Sequence, residues 1–463
     1  MQRMPRGFSP SGDFLHRRAA PGVDLFLHPT ARFKSVLVRL CLMQPLSERG
    51  ASALSLAGSV LKQGTAAHPG RAALYGALDS LYGADLAMDT GRLGEAHVLD
   101  VELELPADRF TGDPQGLAQA LGLLGEVLGA PLKEGKGFPR ALVRQERRNL
   151  KDAIAAVRNH KPSWATLRCL QIACAGEPYR VGRFGTPDAL DRLDPEALWA
   201  FWQAAIRRLP LAVYAVGAFE PAAMAERLEG LVLPLRKGKP APAPDPGFLR
   251  AKPARPAVVT ETAALSQNRL CLAFRTNTAW KDPDFSALVL AATVLGGGSQ
   301  AKLFREVREK ASLAYDAYAS LEKSKGLMLL TAGVDHKERQ RAEDLILAQV
   351  AAVQAGRISR AEWADSRRTL LNQVRTTGDA PGRLVGMHLE GWVNGAPRGV
   401  AEVLRRVRAV TADQAARAAR RWSHAARMPS PCVRRSALTM TTGGVHFGPV
   451  YAAVNALPSW RSA

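Results

Sequence analysis

The chain predicts an α+β fold built twice: two homologous layered domains, each an antiparallel sheet covered by helices. Three observations predict it. The stretch Arg236–Pro256, RKGKPAPAPDPGFLRAKPARP, is too rich in Pro, Gly and Lys for a helix or a central strand and reads as a semi-extended spacer. The flanking parts, each roughly 200 residues and so of ordinary domain size, run through a similar order of elements. In both, strands in sequence-adjacent pairs alternate with helices, the pattern of helices layered on a sheet.

In the first part, Val23–His28 and Ser35–Leu42 read as paired strands. A helix follows over Ala51–Lys62, with Leu54, Ala57 and Leu61 on one face, and a second over Arg71–Tyr82 that stops at Gly83. Leu99, Val101, Leu103 and Leu105 alternate with Asp100, Glu102 and Glu104, the period of a half-buried strand. Leu117, Leu121, Leu124 and Leu128 mark a helix, and Ala141–Arg158 a longer, more polar one. Asp194-Pro195 opens another, the acid as N-cap and the proline at the first helical position. Leu211–Gly217 closes the part as a buried strand.

The second part repeats the plan. Leu270, Leu272 and Phe274 alternate in a strand, and Asp284–Leu295 forms a helix ending at Gly296-Gly297-Gly298. A short helix over Ala301–Lys310 leads to strands near Tyr315–Ser320 and Leu327–Val334. Two helices come next, the second opened by the capping box Ser359-Arg360-Ala361-Glu362, and a last one spans Ala412–Trp422. The expected domains are therefore 21–235 and 257–422, with an N-terminal tail over 1–20, the linker over 236–256, and an atypical tail over 423–463. That last tail shows no clean period and is expected to pack poorly.

Composition narrows the function classes. With 47% hydrophobic and 23% charged residues, the chain is ordinary globular material. No apolar run approaches the ~18–20 residues of a membrane span, and the basic N-terminus lacks a signal-peptide core. The five scattered cysteines suit reduced thiols, hence a cytoplasmic protein. The net charge of +21 permits an anionic partner, but aromatics are only 6% and no basic cluster interleaves with them. An arginine-rich surface explains the charge, and no nucleic-acid or membrane partner is expected.

Five segments stand out together: Ser55–Thr65 (SLAGSVLKQGT), Leu81–Ala84, Gly94–Leu105, Gly182–Thr186 (GRFGT) and Gly296–Tyr318 (GGGSQAKLFREVREKASLAYDAY). On these the chain resembles the pitrilysin/insulinase-like zinc metallopeptidases, the inverted-motif family, over roughly residues 20 to 421. It looks most like the ligand-free chain of the bacterial two-subunit type (the YfmF/YmfF-like group), which parallels the α subunit of the mitochondrial processing peptidase. The resemblance implies two domains forming half of a clam-like chamber, and a strand after the last helix to complete the second sheet.

Active members carry H-x-x-E-H, two His at i and i+4 gripping Zn²⁺ and a Glu activating the metal-bound water. Aligned through Leu61 and Gly64-Thr65, those positions here are Ser55, Gly58 and Ser59, and the third ligand falls near Ala153. Neutral serine hydroxyls are poor zinc ligands. None of the nine His lies within five residues of another, and Gly-x-Ser-x-Gly is absent. The chain is therefore expected to hold no cofactor and to be inert on peptides alone, with zinc on a partner. What the motif retains is Arg308 and Tyr315, which by resemblance contact the peptide at the scissile bond, a charged fork and a phenol where negative charge develops. Such a pairing needs the chain to turn near Ser312. The triple glycine 296–298 suits a helix C-cap and, by resemblance, borders the peptide. The implied function is the non-catalytic subunit of a heterodimeric zinc peptidase, its partners a zinc-bearing homologous subunit and the peptide. A purely structural subunit is the alternative, and a basic nucleic-acid binder a weaker one.

Overall fold

A computed structural model describes residues 6–249, 257–261, 268–335 and 337–428. The chain forms two compact units. The first comprises Met1–Asn159, Gly176–Gly247 and Thr376–Val403; the second comprises His160–Ala175, Phe248–Arg375 and Leu404–Ala463. The units thus exchange segments. Helix Lys161–Ala173 belongs to the second although it lies within the first half of the sequence, and helix Pro381–Val393 returns to the first.

The first unit is built on a seven-stranded sheet. Its strands are β1 (Ser9–Ser11), β2 (Phe14–Ala20), β3 (Val23–Pro29), β4 (Ser35–Pro45), β5 (Asp85–Leu93), β6 (Ala96–Pro106) and β7 (Leu211–Gly217), in the order β1-β2-β3-β7-β4-β6-β5. Two corrections follow. Residues 9–20, expected within an N-terminal tail, carry β1 and β2, which pair into this sheet. β3 and β4 do not pair, because β7, buried along its whole length, inserts between them, parallel to β3 and antiparallel to β4. A central strand that begins 166 positions after the end of β4 leaves no local signal in its neighbours.

The β6 alternation holds. Leu99, Val101, Leu103 and Leu105 face a core shared with Leu54, Ala57 and Leu61 of helix α1 (Glu48–Leu61). On the opposite face Asp100 pairs with Arg39 at 2.9 Å, and helix Pro381–Val393 sets Leu384, Val385 and Leu389 against Phe26, Cys41 and Tyr214. Both faces of this sheet are covered, where the sequence suggested one. Asp194 caps helix Pro195–Arg208 through the Ala197 amide at 2.7 Å, as expected. The linker's first part is no free spacer: Ala241 donates to the Arg208 carbonyl at 2.7 Å and Glu95 to that of Pro246 at 2.8 Å.

The second unit has a five-stranded sheet of β8 (Ala257–Val258), β9 (Asn268–Arg275), β10 (Ala314–Glu322), β11 (Leu327–Val334) and β12 (Ser423–Met428), in the order β10-β11-β9-β12-β8. Here the tail expectation is corrected. Its first residues, Ser423–Met428, are strand β12, antiparallel to β9 and parallel to β8. A strand filling the gap between β8 and β9 gains ladder bonds on both sides, which outweighs its weak pattern. The linker residues 250–256 and the tail from 429, including Val433–Thr442, lie outside the described residues. Helix Phe285–Gly296 is buried almost throughout. The capping box before helix Arg360–Thr377 is present: Glu362 N–H donates to Ser359 Oγ at 3.2 Å, and Ser359 N–H to Glu362 Oε2 at 2.8 Å. Glu362 also receives Lys302 Nζ at 2.9 Å, a buried ion pair satisfied on both sides.

Candidate functional site: a vacated zinc motif and an outward Arg/Tyr pair

Helix α1 presents the degenerate motif to the interior of the first unit. Ser55 is 4% exposed; its hydroxyl lies 2.8 Å from Thr90 Oγ1 on β5 and donates to the Arg183 carbonyl at 3.1 Å. Ser59 turns its hydroxyl back on the Ser55 carbonyl at 3.0 Å, the i−4 bond open to a helical serine. Gly58 faces β6, where an added Cβ would come within 2.8 Å of Leu99 Cδ1. Ala153 sits half-buried on helix Arg140–Asn159. That helix meets the end of α1 through Glu146, which accepts from Gln63 at 3.0 Å and whose carboxyl burial pushes up. Two neutral hydroxyls already engaged, a glycine and an alanine do not fit a zinc ion. Among the described residues, no three His, Cys, Asp or Glu side chains gather in a group that could hold a metal ion.

The segment Gly182–Thr186 acts here as a strap on α1. Arg183 gives its carbonyl to Ser55 and to His97 Nε2 at 2.8 Å, and its guanidinium to Asp89 at 2.9 Å. Burial pushes His97 down to about 4, so its imidazole is neutral; Nε2–H donates to that carbonyl and Nδ1 accepts from Gln44. Gly185 lies at φ +74° against α1, where a Cβ would meet Ser52 Oγ at 2.0 Å and the Glu48 carbonyl at 2.7 Å. Only glycine allows that contact. The fold thus holds this stretch of α1 with hydrogen bonds and a close glycine contact. Thr90, which completes the network with His97, escaped the sequence reading because it does not belong to the zinc motif.

Arg308 and Tyr315 belong to the second unit. Arg308 lies in the π-helical segment Leu303–Lys310, where Ala311 N–H reaches back five residues to the Glu306 carbonyl. π-Helical turns recur at functional sites. The expected short helix is therefore wider than α-helical, and it ends in the predicted turn, with Ser312 left-handed at φ +52°. The Arg308 guanidinium is exposed and lies 4.6 Å over the Phe304 ring. Tyr315 is 59% exposed at the start of the edge strand β10. Neither side chain has a hydrogen bond or ion pair among the described residues.

The three glycines differ. At Gly296 a Cβ would come within 2.4 Å of the Ala319 nitrogen, so the glycine lets the helix end rest against β10. Gly297, the C-cap, is right-handed at φ −86°, and its Cβ would meet Thr293 Cα at 2.7 Å. Gly298 faces open space. Close approach, not a left-handed cap, explains the first two.

Residues 192–370 match the family model described as the peptidase M16 inactive domain. The chain is 31% identical, over 77% of its length and 84% of the relative's, to the probable inactive metalloprotease YmfF of Bacillus subtilis. It also overlays a conserved protein of Enterococcus faecalis with a TM-score of 0.82 at 24% identity, covering 90% of this chain and 98% of that one. A peptidase M16 inactive domain from Pseudomonas fluorescens overlays with a TM-score of 0.73 at 17% identity, covering 92% and 100%. No helix among the described residues is long and apolar enough to cross a membrane. With a relative 31% identical that it matches over 84% of that relative's length, the chain belongs to the M16 peptidases, the pitrilysin/insulinase-like family, as one of its inactive homologues.

Proposed function

We propose that this chain is the non-catalytic subunit of a heterodimeric M16 peptidase, forming half of the peptide chamber and lending Arg308 and Tyr315 to a partner that carries zinc. One contrast supports the reading. Ser55 and Ser59 spend their hydroxyls on hydrogen bonds within the fold, while Arg308 and Tyr315 are exposed and without a hydrogen bond or ion pair among the described residues. An unpaired guanidinium and a phenol suit the developing charge on a substrate carbonyl. A purely structural subunit would have no use for them. The partner supplies the metal, the water and the general base, and the chemistry occurs there.

The test mixes this chain with a homologous chain bearing an intact H-x-x-E-H and measures cleavage of a quenched-fluorescent peptide. Activity that neither chain shows alone is the expected result. A stable complex with no activity above the partner's own would favour the structural alternative, and no complex at all would overturn the proposal.

A further inference from the structure

The strand that carries Tyr315 is irregular where the tyrosine stands. Along β10 and β11, Ala314 pairs with Val334 but Asp316 pairs with Gly333, so Tyr315 is an extra residue with no opposite number. This is a β-bulge, a device that re-aims a side chain and breaks the local ladder. The Asp316 side chain fills the break. Its Oδ1 accepts the Gly333 backbone N–H at 2.5 Å, the amide of the residue opposite. The same carboxylate receives Arg269 Nη1 at 2.6–2.7 Å from β9, and Arg269 is the β9 residue paired with Gly333. Three strands are thus tied across one point. Gly333 is what allows it, since a Cβ there would stand 2.7 Å from Asp316 Oδ1 and 2.9 Å from Arg269 Nη1.

We infer that Asp316, through the Gly333 amide and Arg269, is the positioning residue that holds the bulge and so keeps Tyr315 projected from the sheet edge. The role assigned to Tyr315 rests on the function proposed above; the positioning itself does not. Without the carboxylate, the amide of Gly333 lacks its acceptor and the arginine lacks its counter-charge. The cheapest repair is a one-residue slip that absorbs the bulge, and a slip of one exchanges the faces of the side chains beyond it. Tyr315 would then leave its outward position.

Nitration of the full-length chain by tetranitromethane, mapped by peptide mass spectrometry, reads the position of each tyrosine ring without any partner. Tyr315, Tyr82 and Tyr318 are exposed by 59%, 51% and 37%, which gives two internal references. In the native chain Tyr315 should be nitrated at least as fast as Tyr82. In Asp316→Ala it should fall to the slow rate of a buried tyrosine such as Tyr214, with Tyr82 unchanged. Asp316→Asn, which keeps an acceptor for the Gly333 amide, should restore most of the reactivity. Gly333→Ala should reproduce the loss by pushing the carboxylate away, and both variants remain informative if Asp316→Ala does not fold. Unchanged Tyr315 reactivity in a folded Asp316→Ala or Gly333→Ala variant would overturn the inference. With an active partner present, misplacing the donor should lower kcat by ~10²-fold with little change in KM. Lost nitration without lost turnover would leave the positioning intact and sink the proposed role of Tyr315.

Discussion

Replacing Ser55 by alanine asks what the vacated motif now does. The hydroxyl serves two partners, Thr90 Oγ1 at 2.8 Å and the Arg183 carbonyl at 3.1 Å. They would fare differently. The carbonyl keeps its bond from His97 Nε2, whereas Thr90 Oγ1, in a residue only 2% exposed, loses the one partner it has among the described residues. A buried hydroxyl left unsatisfied costs about 1–3 kcal/mol. Ser55→Ala should therefore destabilise the protein by about that amount, well above the ~0.5 kcal/mol typical of an inert substitution. Thr90→Val alone should cost less, because Ser55 still reaches the carbonyl. The double variant removes both hydroxyls together, so its cost should be smaller than the sum of the two. Urea unfolding at neutral pH measures this as midpoint shifts at constant slope. Zinc content by elemental analysis should be negligible in every variant and in the native chain. Additive effects, or a native chain holding one tight zinc that Ser55→Ala releases, would refute the reasoning.

Three further outcomes follow from the structure. Gly185→Ala should destabilise strongly, because it places a methyl group against the α1 backbone at a left-handed residue, and thermal unfolding should show a Tm drop far larger than for alanine at the open Gly298. Burial pushes His388 down to about 3 and His97 to about 4, against 6.5 when unfolded; stability is then complete above pH 6.5 and lost as pH falls toward those values, by about 1.4 kcal/mol per pH unit per histidine, and His388→Asn should flatten that acid limb in pH-dependent unfolding. In the reconstituted pair, Arg308→Ala or Tyr315→Phe should cost ~10²–10³ in turnover with the complex intact by gel filtration, and Arg308→Lys should not recover it, because an ammonium lacks the forked donors.

The sequence revealed its elements better than their neighbours. The 2-residue period of β6 and the acid-proline start at Asp194 are local signals, and both appear where they were read. The placement of β7 between β3 and β4 is not local, since any buried strand could fill that gap. The exchanged helices escaped for a related reason. Lys161–Ala173 begins with a proline in its first turn and places Cys169 and Leu170 in the interior, but nothing in it names the sheet it covers. Helix Pro381–Val393 carries His388, whose Nδ1 meets Tyr214 Oη at 3.0 Å and whose Nε2 meets Ser11 Oγ at 2.8 Å. Such a three-way bond joins residues 377 positions apart and has no sequence period at all.

At the candidate site the division falls differently. The loss of ligands was legible because a metal demands specific atoms, and Ser55, Gly58, Ser59 and Ala153 lack them. The hydrogen bonds made at those positions were not, because a hydrogen-bond network accepts many residue types. Thr90, His97 and the Arg183 carbonyl could each be exchanged for another acceptor or donor without leaving a mark on the motif. Tyr315 shows the same limit from the other side. Its candidacy came from the resemblance, and the turn at Ser312 followed from its separation from Arg308. The bulge that aims it was not legible, because a bulge is set by one unpaired residue and by what the opposite strand can accept. Here that is a glycine at 333 and an arginine at 269, each unremarked in its own stretch of sequence. An exposed tyrosine on a bulged edge strand must still be held in place. In this chain the bulge is held by Asp316, Gly333 and Arg269, so substitutions at those three positions should matter to Tyr315, although only Asp316 lies within the segment that carries the resemblance.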